Sequence, residues 1–486
     1  MEVVGQIKCL KNIYDLLALC CEVTMLYTDY DYNSGGPLKY TGELQDVFSQ
    51  YDVECKKGYK KHAFEHLKKG IEEFLGREAN VDRLFAIALV IDDRIEPRLA
   101  ERSGTGEEFI EYEGLNRQYT DQVLVTPKKV NSFFDEVQSR KDENGYAPFR
   151  EPRESSIEDI DYQIKNYSVR YKKSFEEHPV RFFRASRDSL LYSHFSGHMQ
   201  LSIGMVPLTH VHIKDIFEIE CENGNFEIHG MKSSPKEDLN KRYERTWEGL
   251  AGRTLDCLIL PEMLMTEEIL ECLRSSPGPE AYLTVNGSVW KNCTNYSILT
   301  DVNGKEIFHY FKKALFKYKK DGKEYLEHLY SKKNKGYTVL EIENFGRIGI
   351  AICKDLLKPD VRTMYKRLNI NLLFVPAYSP SMDMHSEACE LAEQLGCVVI
   401  MVNSCGAMEK KGGEIGYVCM PAKQGNERSS LMKKISCGAC EANCRNGCSG
   451  VFLELYFDKM VLHEDKLSFG IRNELLDAGR ETQNEN

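Results

Sequence analysis

The sequence predicts a layered α/β (α+β) domain preceded by a mainly helical N-terminal region. Three observations carry that expectation. Up to about His194 the apolar residues recur at three- and four-residue spacing, whereas after Gly197 they gather in short continuous runs. Leu255–Leu260, Ile348–Ile352, Leu372–Val375 and Cys397–Val402 are apolar runs, interrupted only by Asp256 in the first, as strands buried on both faces are. Helical stretches at Thr266–Arg274, Asp360–Leu368 and Ser386–Leu395 lie between several such runs, and strands alternating with helices indicate layers.

Taken in order, Ile7–Leu26, Lys61–Leu75 and Asn80–Leu99 read as amphipathic helices, separated by breaks at Gly35-Gly36-Pro37 and Ser103-Gly104-Thr105-Gly106. The glycine pair of the second break is read as a solvated loop in preference to a phosphate loop. A further break falls at 140–156, where Ser155 and Glu158 have capping-box spacing for another helix. Met199–Val206 then reads as a strand, Lys214–His229 as a hairpin turning at Asn223-Gly224, and Asp238–Leu250 as a helix. Ala281–Val285 and Tyr296–Thr300 add further strands. The expected division is 1–196 helical, 197–476 layered with a cysteine-rich insertion at 436–449, and 477–486 a polar tail.

Composition excludes several classes. The chain is 42% apolar and 29% charged, as globular proteins are, and its net charge of -11 argues against a nonspecific grip on nucleic acid. No apolar run reaches bilayer length; Ile13–Leu26 is broken by Asp15 and Glu22, so no membrane span is expected. Seventeen cysteines, most isolated in apolar stretches, do not form a secreted disulfide framework, and no signal peptide opens the sequence. A reducing cytoplasmic location is the expectation.

Three reactive residues sit where apolar strands end. Leu255–Leu260 runs into Pro261-Glu262, and Ile348–Ile352 into Cys353-Lys354-Asp355. Between them, His309-Tyr310-Phe311-Lys312-Lys313 follows a strand, a turn at Asn303-Gly304 and a second strand. Open α/β sheets place ligands at such strand ends. A thiol attacking an acyl carbon needs a base, because at its ordinary pKa of about 8.5 it is mostly protonated at neutral pH. It also needs a cation or donors where the oxyanion develops. Carboxylate, ammonium and thiol supply the three roles, with no cofactor required for catalysis.

The segments Asp256–Glu262 (DCLILPE), Tyr310–Leu315 (YFKKAL) and Gly346–Asp355 (GRIGIAICKD) resemble the three motifs of the nitrilase superfamily of carbon–nitrogen hydrolases, in the family's order. Gly287-Ser288, Asn295, Pro376-Ala377 and Glu387–Asn403 resemble its intervening landmarks, and the resemblance spans about Met199 to Leu476. It implies a four-layer αββα sandwich of the amidase or carbamoylase type. It also implies that Glu262 is the general base, Lys312 the stabiliser of the tetrahedral intermediate and Cys353 the nucleophile. Glu327 resembles the additional glutamate of amidase-type members, more than Glu324 does. The chain departs from the family where Lys354 replaces an aromatic residue after the nucleophile and Ala314 replaces a histidine. The segment Lys317–Lys335 is long and basic and is read as a solvated lysine loop, with attraction of an anionic substrate as the other reading.

A separate signal is Cys437, Cys440, Cys444 and Cys448, spaced C-x2-C-x3-C-x3-C in one short loop. Four soft thiolates suit a structural zinc, with an iron–sulfur cluster or unligated thiols as alternatives. His194, His198, His210 and His212 are read as ordinary strand and turn histidines.

These signals together imply a hydrolase that cleaves an amide or carbamoyl small molecule through a thioester, assembled as a homo-oligomer. An acyltransferase using the same triad remains open. So does a scaffold or regulated effector that docks a protein partner through the helical region, bacterial defence included.

Overall fold

The computed structural model describes residues 2–10, 13–26, 36–56, 60–76, 80–94, 109–112, 123–127, 164, 167–171, 180–186, 188–198, 200–209, 211–275, 280–329, 336–342, 344–368, 370–380, 384–407, 414–424, 427–436, 449–456 and 461–468. The Gly104–Gly106 pair, Ser155 with Glu158, His210 and the four cysteines at 437–448 lie outside them. Two compact units divide the chain, Met1–Asn131 with Gly145–Asp188, and Ser132–Asn144 with Ser189–Asn486.

The first unit is built on helices α1 (Glu2–Cys9), α2 (Ile13–Met25), α3 (Leu38–Lys56), α4 (Lys60–Leu75) and α5 (Val81–Arg94). The helix expected over Ile7–Leu26 is two helices. Buried Lys68 of α4 donates to Lys8 O (3.2 Å) and Leu10 O (3.3 Å), so carbonyls freed at the break are satisfied from outside. Helix α3 was not anticipated, although Leu44 and Phe48 are fully buried on one face of it. Leu16, Leu17, Phe48, Leu67, Ile71, Phe85 and Ile87 belong to one apolar core. The described residues of this region are mainly helical, as expected, and those of the unit beyond Arg94 lie mostly in strands. Strands β1 (Phe109–Tyr112) and β4 (Val180–Ala185) pair antiparallel, as do β2 (Val123–Pro127) and β3 (Tyr167–Tyr171). Their sequences FIEY, VRFFRA, VLVTP and YSVRY are rich in β-branched and aromatic residues, which suit a pleated surface.

The second unit opens with α6 (Leu190–Phe195), β5 (Gln200–Met205), the single turn α7 (Ile213–Ile216) and the hairpin β6 (Phe217–Glu222) and β7 (Asn225–Met231). Asn223 and Gly224 turn that hairpin with φ of 51° and 79°, as a two-residue hairpin requires. Helix α8 (Ser233–Leu250) leads to β8 (Thr254–Ile259), α9 (Glu267–Ser275), β9 (Glu280–Val285), β10 (Val289–Lys291), β11 (Thr294–Asp301) and β12 (Glu306–Phe311). Within the segment Lys317–Lys335, expected to be a lysine loop, Lys317–Glu327 is instead a second hairpin, β13 (Lys317–Lys320) and β14 (Lys323–Glu327), while Lys332, Lys333 and Lys335 lie outside the described residues. The remainder is β15 (Tyr337–Ile342), β16 (Gly346–Ile350), α10 (Pro359–Arg367), β17 (Leu372–Ala377), α11 (His385–Leu395), β18 (Val398–Asn403) and β19 to β22 at Glu414–Gln424, Glu427–Ser436, Ser449–Tyr456 and Val461–Ser468.

Two large sheets form. One runs β15-β16-β17-β18-β19-β20, with β16, β17 and β18 parallel; the other runs β10-β11-β9-β8-β5-β21-β22, with β5, β8 and β9 parallel and β12 paired to β11. A smaller sheet, β13-β14-β7-β6, joins the two hairpins. Side chains cross between the large sheets: Thr338 of β15 donates to His309 O of β12 (3.3 Å). A Cβ at Gly416 of β19 would meet Met205 of β5. Helix α11 packs on β18, β19 and β20, and α8 adds Leu239, Tyr243 and Leu250 to a cluster with Leu255 and Leu258 of β8. Every residue of β15, β16, β17 and β18 is buried, as strands are when both faces are covered. The layered sandwich expected for this part of the chain is present.

Candidate active site

The parallel strands of both sheets point their C-terminal ends at one place. Chain leaving β8 through Leu260-Pro261 delivers Glu262, whose N–H donates to Ala377 O at the end of β17 (3.3 Å). Gly287 allows this approach: its φ is +56°, and a Cβ there would lie 2.0 Å from Pro261 O. The next residue, Ser288, accepts from Met263 N through its hydroxyl (2.9 Å), holding the strand end from the other side.

Lys312 follows β12, and its N–H donates to Asn295 O on β11 (2.8 Å). Its ammonium lies 2.7 Å from Glu262 Oε1 and donates to Glu327 Oε2, also at 2.7 Å. Glu327 closes β14 and accepts in addition from Phe316 N (3.0 Å). Asn295 Nδ2 bridges the two carboxylates, at 2.9 Å from Glu262 and 3.4 Å from Glu327. The adjacent Lys313 turns away, donating to Gly336 O (2.5 Å) with its ammonium 4.4 Å from the centre of the Tyr337 ring. The motif's register therefore puts Lys312 at the carboxylates.

Cys353 follows β16 and begins a short 3-10 turn, Cys353–Leu357. Its φ of 49° lies in the left-handed region, which a residue with a side chain occupies at a cost. The thiol is fully buried and interacts with the Glu262 carboxylate and with the backbone of Tyr378. Tyr378 N also donates to Glu262 Oε2 (3.0 Å). Cys353, Glu262, Lys312 and Glu327 thus form one buried group, and the structure brings all four sequence-derived positions together.

Their electrostatics follow from that burial. Loss of water raises the Glu262 pKa above the usual carboxylate range; the Lys312 charge opposes the rise and Glu327 adds to it. Burial alone would depress Lys312, but the two carboxylates outweigh it and hold the ammonium charged. Burial and the Glu262 charge push the Cys353 thiol well up, with Lys312 pulling the other way. At neutral pH the Cys353 thiol is therefore protonated, with the Glu262 carboxyl group beside it.

Asp355 was quoted in the sequence motif without a role. It is fully buried and tied by four donors: Lys313 N (2.8 Å) and Ala314 N (2.6 Å) reach Oδ1, while Tyr310 OH (3.0 Å) and Ile352 N (3.2 Å) reach Oδ2. One carboxylate therefore joins the lysine segment to the cysteine segment. Burial raises its pKa, against the pull of Lys313 and the two N–H groups. The only available signal was an acid two residues past a strand-end cysteine. Ala314, at the position where a histidine was expected, contributes its N–H to this knot. Lys354 extends over Phe316, with its ammonium 5.3 Å from the ring centre.

The described lysines of the β13–β14 hairpin, Lys317, Lys319, Lys320 and Lys323, are exposed, and Lys317 and Lys319 pair with Glu324 at 3.6 and 3.5 Å. Among the described residues three groups have metal-ligand geometry: Glu54 with His62 and His66, His194 and His198 with Asp256, and Glu227 with Cys293 and His328. His194 and His198 thus converge on a buried aspartate, and their rings lie 4.9 Å apart.

Residues 280–426 match the carbon-nitrogen hydrolase family. The match places a carbon–nitrogen hydrolase domain in this part of the chain. The matched stretch of this hydrolase domain contains Lys312, Glu327 and Cys353, while Glu262 lies ahead of it. The structure is similar to Saccharomyces cerevisiae Nit3, a member of branch 10 of the nitrilase superfamily, at 14% identity and TM-score 0.30 over 50% of this chain and 93% of that one. It is similar to an amidase from Nesterenkonia sp. at 14% identity and TM-score 0.31, over 51% and 94%. It is also similar to a glutamine-dependent NAD+ synthetase from Acinetobacter baumannii at 15% identity and TM-score 0.32, over 54% and 47%. Likenesses at these scores carry no conclusion about the chemistry of the hydrolase domain. No curated protein matches the chain. Among the described residues no helix is long and apolar enough to cross a membrane.

Proposed function

We propose that this chain hydrolyses a non-peptide C–N bond, in an amide or carbamoyl compound, through a thioester on Cys353. The observation that carries the reading is the meeting of Cys353, Glu262 and Lys312 in one buried group, with Lys312 held between two carboxylates. Glu262 takes the thiol proton as Sγ attacks the carbonyl carbon, and the new oxyanion forms against the Lys312 ammonium. Glu262 then returns that proton to the leaving nitrogen as the C–N bond breaks. Water, deprotonated by the same carboxylate, adds to the thioester and releases the acid and the thiol. Glu327 keeps Lys312 aimed. Asn295 Oδ1 is buried without a hydrogen-bond partner, which supports a role in accepting an N–H or O–H from substrate or water.

The test is intact-protein mass spectrometry after exposure to a panel of amides and carbamoyl compounds. An acyl adduct on the peptide containing Cys353, absent from Cys353→Ala, is expected; an adduct confined to another cysteine overturns the reading.

Two further expectations belong to it. The domain is proposed to act as a homo-oligomer, so light scattering at micromolar concentration should give a mass above the 55.9 kDa of one chain. The Cys437, Cys440, Cys444 and Cys448 loop is proposed to hold one structural zinc, measured by elemental analysis of protein prepared under reducing conditions.

A further inference from the structure

The turn between β10 and β11 is built from Asn292 and Cys293, between the paired residues Lys291 and Thr294. Both turn residues have positive φ, 51° and 54°. A two-residue turn of this kind takes glycine at its second position with least strain. Here a cysteine stands in the glycine's place. Its thiol faces two side chains from other strands, Glu227 of β7 and His328 at the end of β14. Cys293 Sγ lies 3.9 Å from His328 Nδ1, and that ring nitrogen is hydrogen bonded to Glu227 Oε1. The sulfur, nitrogen and oxygen all lie within 4.8 Å of one another.

We propose that Glu227, Cys293 and His328 form a binding site for a divalent cation of the zinc class. Sulfur, imidazole and carboxylate are the ligand types zinc takes, at about 2.3 Å to sulfur and about 2.0 Å to nitrogen or oxygen. Those bond lengths put sulfur and nitrogen of a tetrahedron about 3.5 Å apart, close to the 3.9 Å found. Three protein ligands leave a fourth position for water. Glu227 and His328 are both more than a third exposed, which gives an ion a way in. The Glu227 carboxylate lies beside the Cys293 thiol. The same negative charge attracts a cation, which displaces the thiol proton to solvent as the bond to sulfur forms.

The placement gives such an ion a lever on catalysis. Cys293 is two residues before Asn295, and His328 directly follows Glu327. A metal across them ties the two segments that hold Glu262 and Lys312 from outside. The site itself does not rest on the proposed function; only its effect on turnover does.

The experiment follows alkylation of Cys293 by iodoacetamide in the full chain, read on the peptide that contains it, with and without zinc chloride. Zinc is expected to slow labelling of Cys293 at least tenfold. His328→Ala should label freely and lose the protection. Cys293→Gly, which puts the favoured residue in the turn and so preserves the fold, should bind one fewer equivalent of zinc than the parent chain. Equal labelling with and without zinc overturns the site, as does protection that survives in His328→Ala or an unchanged stoichiometry in Cys293→Gly. If labelling and stoichiometry behave as expected while turnover ignores zinc, the lever on catalysis is overturned and the site stands.

Discussion

Two buried ion clusters occupy the hydrolase domain, and they differ in how their charges balance. Arg347 at the start of β16 pairs with Glu341 of β15, with Nη2 3.3 Å from Glu341 Oε1, while Nη1 donates to Leu368 O (2.8 Å). Each side chain is almost fully buried, and the guanidinium fork makes several bonds at once. The other cluster sets a single ammonium, Lys312, between two carboxylates, Glu262 and Glu327, beside a protonated thiol. In the second, loss of water keeps Glu262 more basic than an ordinary glutamate, and the Glu327 charge adds to that rise against the pull of Lys312. Both clusters are buried, so burial alone does not separate the proposed site from the Arg347–Glu341 pair.

Four measurements would break or sharpen that contrast. The largest effect is expected from Cys353→Ala, which should abolish turnover while leaving the thermal transition almost unchanged, read by steady-state rates and calorimetry. Full activity in that variant would remove the cluster from the chemistry.

Next come the charges around it. Glu262→Gln and Lys312→Met should each slow acylation by about 100-fold to 10,000-fold in single-turnover experiments, the usual scale for losing a base or an oxyanion group. Lys313→Met should be far milder on acylation, because its ammonium faces Gly336 O and not the carboxylates.

The Arg347–Glu341 pair should behave in the opposite way. Arg347→Met leaves Glu341 buried without its guanidinium and should cost about 3–5 kcal/mol of stability, measured by denaturant unfolding. Turnover of the folded fraction should change little. A loss of rate as deep as that of Lys312→Met would mean that the two clusters are not functionally distinct.

The smallest effect is a shift in pH dependence. Glu262 must be ionised to act as base, so kcat/KM should fall as pH drops through its raised pKa, above the ordinary value of about 4.3. The Glu327 charge contributes to that rise. Glu327→Gln should therefore move the acid limb to lower pH while lowering the rate. A limb that stays in place would show that Glu327 does not act on Glu262 through its charge.

The contrast also separates what could be read in the sequence from what could not. Strands ending in Pro261-Glu262 and Cys353-Lys354 were legible because continuous apolar runs identify buried strands, and a polar residue at their end stands out. Asp355 was not, because its four donors come from positions 310 to 352 and only the folded chain brings them to one carboxylate. The lysine-rich segment was read by its charge, yet β13–β14 is a hairpin in which Tyr318 pairs with Tyr325 and Lys317 with Leu326, and Asp321-Gly322 turns it, with φ of 52° and 76°. In the first unit the short strands between β1 and β4 escaped notice because four to six residues give too few repeats to establish a period. Helix α3 escaped because its apolar residues are diluted by acids and glutamines, and only packing shows which face counts.

The left-handed backbone at Cys353 is a standing load on the fold, of about 1 kcal/mol or more. Glycine would carry that conformation without strain, so the substitution that most directly ends catalysis is also one that relaxes the chain. Cys353→Gly should melt at or above the temperature of Cys353→Ala, and a lower midpoint would show that side-chain packing outweighs the backbone there. Selection for heat resistance alone would then favour losing the cysteine proposed as nucleophile.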